Sequence, residues 1–267
     1  MSVQIHLLVP EIRIVAGVND TFQVDDGGGN DTCTIAAGSY FMTGIGDATD
    51  LLDGVTDAIA SSASTAALSP ALEIQNTSND VKGVNALLEF GGTTGITWGT
   101  FDGTALGHTT NKSGSDSYDS DANPNGWFLP SFPAEIVETP VRAEGTQFHT
   151  VGGQTYTHDR SGQVFDDLVL QFSWIDETQA KASANTTDPQ RTLQRCWGHW
   201  RDGRQIRVYS VPYNETTGVP KEPTNSDLVG TYHLGPGDLE SLPLTRRGPE
   251  LPYYSTNPLR FRQYVAK

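Results

Sequence analysis

Cysteine is scarce: Cys33 and Cys196 are the only two in 267 residues. One disulfide is possible, a disulfide-stapled framework is excluded, and two free buried thiols are the expected state. The shortage also bears on metals. Cys196 and His199 lie one helical turn apart, but a structural zinc needs four ligands and no second Cys/His pair exists. His149 and His158 flank a hairpin and, even facing each other, lack two further soft ligands, so zinc is not expected. No apolar run approaches the roughly 18 residues a membrane-spanning helix needs. The opening MSVQIHLLVPEIR has no basic flank and no small-residue cleavage site, so no leader is expected. Catalytic signatures are missing as well: no Gly-x-Ser-x-Gly elbow, no phosphate loop ending in Gly-Lys-Ser/Thr, no Gly-x-Gly-x-x-Gly opening a helix. Carboxylate pairs such as Asp166-Asp167 are too common in so acidic a chain to mark a site. Neither an enzyme nor a cofactor is expected.

Basic residues are few and unevenly placed. Residues 1–141 hold three Lys+Arg against 18 Asp+Glu, and the remainder holds 14 of each, so all of the net charge of -15 sits in the first half. Phosphate binding is driven by Lys and Arg, so direct nucleic-acid binding is not expected. An acidic surface suits docking against a basic one. Asp25 and Asp26 in the acidic half, and Arg246, Arg247, Arg260 and Arg262 in the closing segment, are the interface candidates for head-to-tail contacts between copies.

What is abundant is turn chemistry, with 28 Gly and 15 Pro against 36% hydrophobic residues. That balance predicts a mainly β fold, a sandwich or barrel with one or two short helices, and α+β character in the second half. Prolines at 130, 133 and 140 divide an acidic β-rich domain, 1–133, from a β-rich domain, 141–267.

Between Glu11 and Ile59 the pattern is strand, turn, strand, glycine-rich turn, strand, helix. Ile12 and Ile14, then Phe22 and Val24, then Cys33 and Ile35 alternate with polar positions. Asn19-Asp20 and Asp26-Gly-Gly-Gly-Asn30 supply the turns. Asp47 or Thr49 can cap a helix near 48–60 whose Leu51, Leu52, Val55 and Ile59 share a face. Leu72 and Ile74, then Val84 to Phe90, predict two more strands, ended by Gly91-Gly92. Residues 108–125 predict a long exposed loop. Within it Asp119, Asp121, Asn123 and Asn125 recur at alternate positions as in a calcium loop, but Pro124 stands where that loop needs Gly and Pro130 where it needs Glu. A polar loop without metal is therefore expected. In the second half, a hairpin turns at Gly152-Gly153, and Leu168, Leu170, Phe172 and Trp174 alternate along a strand. Asp188-Pro189 opens a helix near 189–201 carrying Leu193, Cys196, Trp197 and Trp200, and Ile206 and Val208 form the next strand.

Ile12-Arg-Ile14, Ala16-Gly-Val-Asn-Asp20, the Asp/Gly turn, Ala37-Gly-Ser-Tyr40 and the Leu/Ala helix together resemble the N-terminal regions of structural proteins of tailed double-stranded DNA viruses. Leu106-Gly107-His108 stands where such proteins carry Leu-Gly-Phe. The strand Phe165 to Trp174, the helix after it, and Trp200-Arg-Asp-Gly-Arg204 leading into Ile206-Arg-Val-Tyr209 resemble tail-tip and tail-collar components. The resemblance implies a virion protein of the tail (tube, collar or tip) or the head–tail connection, partnered by copies of itself in a ring or tube and by other virion proteins. Capsid decoration or turret protein is the alternative of the same class. A carbohydrate-binding module of a tail tip, using Trp98 or Trp127, is the alternative of another.

Overall fold

The computed structural model describes residues 4–63, 65–77, 80–124, 135–141, 146–149, 155–158, 165–181, 192–201, 203–214, 219–234, 242, 244–248 and 251–263. The first half contains β1 (Gln4–Pro10), β2 (Ile12–Ile14), β3 (Thr21–Asp25), β4 (Asn30–Thr34), β5 (Gly38–Tyr40), α1 (Leu51–Ser62), β6 (Leu68–Thr77), β7 (Asp80–Trp98) and β8 (Lys112–Tyr118). The chain continues with β9 (Glu135–Val141), β10 (Thr146–His149), β11 (Thr155–His158), β12 (Phe165–Gln171), β13 (Ile175–Asp176), α2 (Glu177–Ala180) and α3 (Leu193–Arg201). It continues with β14 (Ile206–Asn214), β15 (Val219–Pro220), β16 (Leu228–Leu234), β17 (Leu244–Arg246), β18 (Tyr253–Thr256) and β19 (Leu259–Gln263). The protein is mainly β with a few short helices, and its strand ladders are antiparallel. The described residues hold no helix long and apolar enough to cross a membrane.

Two sheets dominate. One runs β4-β3-β7-β6 with β8 on β7; the other runs β1-β14-β16-β19-β12-β9 with β15 on β14. β1, from the extreme N-terminal region, thus pairs along its whole length with β14 of the second half, Gln4 opposite Pro212 and Pro10 opposite Ile206. Residues 5–10 are all buried, because one face of the β1–β14 pair lies in each of two cores. Ile5, Leu7, Val9, Tyr209 and Val211 join the first core, with Phe22, Val24, Leu51, Leu52, Val55, Ile59, Ala86 and Leu88. Leu8, Ile206 and Val208 join the second, with Leu168, Leu170, Phe172, Leu193, Cys196 and Trp197. A strand buried on both faces shows no alternation, which hid β1 from a search for alternation.

Local chemistry explains the elements that bear on function. In the β3–β4 turn Asp25 Oδ1 accepts from the Gly27 amide at 2.9 Å and Asp26 Oδ1 from the Gly28 amide at 3.1 Å, while Gly27 and Gly29 take positive φ of 92° and 130°. Helix α1 buries Leu51, Leu52, Val55 and Ile59 as their spacing predicts, each side chain contributing about 2 kcal/mol. Its cap is Asp50 rather than Asp47 or Thr49. The Asp50 side chain is fully buried, and its Oδ1 accepts from the Leu52 amide at 3.0 Å.

Three further expectations are corrected. Gly91-Gly92 does not end its strand: β7 continues to Trp98, and the glycines coincide with an irregularity in its ladder with β8 between Glu89 and Thr94. Residues 108–125 are not one exposed loop, because 112–118 form β8 on the edge of β7. The alternation of β12 buries Leu168, Leu170 and Phe172 but breaks at Trp174, which is 46% exposed because the strand has ended at Gln171. Helix α3 spans Leu193–Arg201 and buries Leu193, Cys196 and Trp197, and the Asp188-Pro189 opening lies outside the described residues. The backbone hairpin of β10 and β11 pairs Phe148 with Tyr156, and its turn lies outside the described residues. Both cysteines are free and buried. Burial, then the nearby Asp31, push the Cys33 thiol up to about 11, and burial also raises Cys196.

Candidate interaction surfaces and the polar seam

The chain crosses between its two cores at Glu11, and a polar seam forms there. The Glu11 amide donates to the Gln205 carbonyl at 2.8 Å. Its Oε1 accepts from Arg13 Nε at 2.9 Å and Ser39 Oγ at 2.5 Å, and its Oε2 from the Gln205 amide at 2.8 Å. Burial pulls the Glu11 carboxyl upward, but these donors outweigh it and hold the group below its ordinary value. A second clasp lies on β14. Arg207 Nη1 donates to Asp47 Oδ2 at 3.2 Å and Nη2 to Thr49 Oγ1 at 2.7 Å, with the guanidinium 4.2 Å from the Phe41 ring centre. Asp47, read as a cap, instead ties the approach to α1 onto the second half.

The stretch resembling a calcium loop is a fastener for β8. Asp119 Oδ1 accepts from Asn85 Nδ2 at 2.7 Å. Asp121 Oδ2 accepts from the Thr109 and Thr110 amides at 2.9 and 3.1 Å, and its Oδ1 from Lys112 Nζ at 2.5 Å. Asn123 Oδ1 accepts from the Val84 amide at 2.6 Å. Asn125 lies outside the described residues. The three oxygen-bearing groups thus face separate donors, and Asp121 is held down at about 2 by Lys112 and Thr110 against the opposing pull of burial. Among the described residues, no three His, Cys, Asp or Glu converge to hold a metal. Leu106-Gly107-His108 anchors the base of this excursion. The Ala122 amide donates to the Gly107 carbonyl at 2.9 Å, and a methyl added at Gly107 would lie 2.1 Å from the Ala122 oxygen. His108 is fully buried, its ring 5.9 Å from that of Trp98, with Nε2 2.8 Å from the Ala86 carbonyl oxygen. A carbonyl only accepts, so Nε2 carries the proton, and the buried Nδ1 has no partner among the described residues. Trp98, a candidate sugar platform, packs on Phe22, Phe101 and His108 and donates to the Thr110 carbonyl at 2.9 Å. Trp127 lies outside the described residues.

Of the interface candidates, Asp25 and Asp26 sit together in the β3–β4 turn. Arg246 and Arg247 sit together on and after the edge strand β17 of a small sheet, β13-β18-β17. Arg260 and Arg262 are apart from them, on β19 between β16 and β12. Around Arg247 is a cluster that strand periodicity missed. Its guanidinium lies 5.3 Å from the Trp174 ring centre, Tyr253 meets Trp174 edge-on at 5.8 Å, and Leu251 is 45% exposed beside them. Arg246 Nε donates to the Leu251 carbonyl at 3.3 Å. Where β6, β7 and β8 run side by side, with Ser69 opposite Glu89 and Glu89 opposite Ser117, Ala67, Ser69, Glu89, Phe90, Gly91, Asp116 and Ser117 line an open cleft of about 370 Å³. One surface can therefore donate from guanidinium groups and aromatic edges, and the other can accept with carboxylates and hydroxyls.

No protein-family model, no curated protein and no solved structure matches this chain.

Proposed function

We propose that this protein is a structural component of a tailed-virus virion, assembling with copies of itself in the tail or the head–tail connection. The observation that carries the reading is the partition of charge and surface chemistry within one body. Residues 1–141 hold 18 acidic groups against three basic ones. Two of those three, Arg13 and Lys112, are already paired with Glu11 and Asp121. The first half therefore turns unpaired carboxylates outward. The second half turns Arg246, Arg247, Trp174 and Tyr253 outward, the residue types that dominate protein–protein contacts. A building block with two dissimilar, complementary surfaces propagates head to tail into a ring or tube. The resemblance of residues 11–59 to tailed-virus proteins supports the virion setting.

Sedimentation velocity over a concentration series, with electron microscopy of the same samples, tests this directly. Closed rings or tubes are the expected result; a monomer at every concentration would overturn the assembly reading. Antibody labelling of particles separates the tail from the shell, where a decoration or turret protein would sit. Exposed Trp174 favours a second reading, a carbohydrate-binding tip. Against it, Arg247 occupies one face of the indole. Glycan-array binding abolished by Trp174→Ala would favour that reading over assembly.

A further inference from the structure

We infer that the cleft beside β8 is the socket for the Arg246–Arg247–Trp174 patch of a second copy of this chain; the inference rests on the assembly reading above. Three features converge on it. First, β8 and β17 are both edge strands: among the described residues β8 pairs only with β7, and β17 only with β18. Each leaves backbone groups along its outer side open to a neighbouring chain.

Second, the socket has the chemistry of a guanidinium acceptor. Glu89 and Asp116 are exposed and form no ion pair among the described residues, Ser69 and Ser117 add hydroxyl oxygens, and Phe90 supplies an aromatic wall. A volume of about 370 Å³ is in the range of cavities that take small ligands, ample for an arginine side chain. Third, the patch is presented in a fixed shape. Arg246 Nε is held by the Leu251 carbonyl, and Arg247 Nε by the Ser173 carbonyl at 3.2 Å. Both keep their terminal Nη groups uncommitted among the described residues. Holding each stem in advance lowers the side-chain entropy lost on docking, and planar guanidinium groups match carboxylates in a two-point contact.

A second copy is the occupant because the chain itself carries both members of the pair. The contact is heterologous, so each copy offers its socket to one neighbour and its patch to another.

Charge exchange between full-length variants tests this. Arg246→Glu with Arg247→Glu makes one double variant, and Glu89→Arg with Asp116→Arg makes the other. Each alone should show its self-association weakened at least about 30-fold, as for hot-spot residues. Mixed in equal amounts they should assemble again, because acid then meets base at every junction. If the wild type assembles and both variants assemble equally well, the contact is wrong while the assembly reading stands. Loss of assembly in both variants without recovery on mixing would also overturn the pairing. A wild type that stays monomeric removes the assembly reading and this contact together. Should a double variant fail to fold, judged by its circular dichroism, one chain carrying Ser117→Cys and Thr245→Cys decides instead. Oxidation should yield a ladder of covalent multimers, and monomer alone under assembling conditions would overturn the contact.

Discussion

The two cores meet at the β1–β14 pair, and they treat buried polar groups differently. Toward the first core and its approaches, buried acids are saturated with donors. Asp50 accepts from Leu52, Thr43 Oγ1 at 2.8 Å and the Ile45 amide at 2.8 Å, and Glu11 is similarly surrounded. Toward the second core, His6 shares the parity of Leu8 on β1, is 4% exposed, and has no partner among the described residues for either ring nitrogen. An acid-rich half with three cations cannot neutralise most of its carboxylates by ion pairing, and Asp50 is satisfied by backbone amides and a hydroxyl instead. A charged carboxylate held that way resists removal, whereas a neutral imidazole without partners resists charging.

The largest test of this contrast is Asp50→Ala. It strips the helix cap and leaves several buried donors unsatisfied, and should cost about 3–4 kcal/mol, measured by urea unfolding at neutral pH. A loss below about 1 kcal/mol would mean that water replaces the carboxylate and that the first core is not organised around it.

Next is the pH response of the second core. Burial lowers His6 from 6.5 to about 4. The unfolded chain therefore binds the proton first, so this contribution is fully present above about pH 6.5 and is lost as pH falls toward 4, by roughly 3 kcal/mol. His108 is shifted the same way, by burial against its bond to Ala86, and adds a smaller slope from the first core in the same window. Glu11, Asp47 and Asp121 are depressed carboxylates, so their contributions persist to lower pH and vanish only below their ordinary values of 4.5 and 3.8. His6→Leu should flatten most of the stability change between pH 6.5 and 4.5 while leaving the acid limb intact. An unchanged slope would assign that window elsewhere.

Much of this architecture was legible because the relevant residues obey a period. Leu51, Leu52, Val55 and Ile59 place α1, Leu168 and Leu170 place β12, and the Asp-Asp-Gly-Gly-Gly run places the β3–β4 turn. Other features left no periodic trace. β1 is buried on both faces. Asp119, Asp121 and Asn123 have the composition of a metal loop, yet their role depends on Asn85, Thr109, Thr110 and Val84, which only the fold brings near. Trp174 looked like another inward member of its strand because nothing in Phe-Ser-Trp marks the strand's end at Gln171. The Arg246–Trp174 cluster joins residues 72 apart in sequence, beyond the reach of any local pattern.

A smaller effect sharpens the seam between the cores. Arg207→Met keeps a long apolar stem over Phe41 but removes the bonds to Asp47 and Thr49. It should cost about 1–2 kcal/mol in urea unfolding, less than Asp50→Ala because Asp47 is only partly buried and regains water. Asp47→Asn with Arg207→Met should add little beyond either alone, since the two groups form one clasp.

The smallest effect is local and concerns β8. Lys112 Nζ and Asp121 Oδ1 form an ion pair whose lysine is 12% and aspartate 29% exposed. Lys112→Met should remove about 1 kcal/mol, the upper end for pairs that keep contact with water. The loss belongs to the edge strand, which opens without unfolding either core, so global urea unfolding should hardly move. Amide exchange along 112–118 should instead quicken about fivefold, with the β1 amides unchanged. Equal acceleration in β1 would show that β8 and the shared strand open together. The acidic edge would then be part of the central wall rather than a separable flap fastened by Asp121.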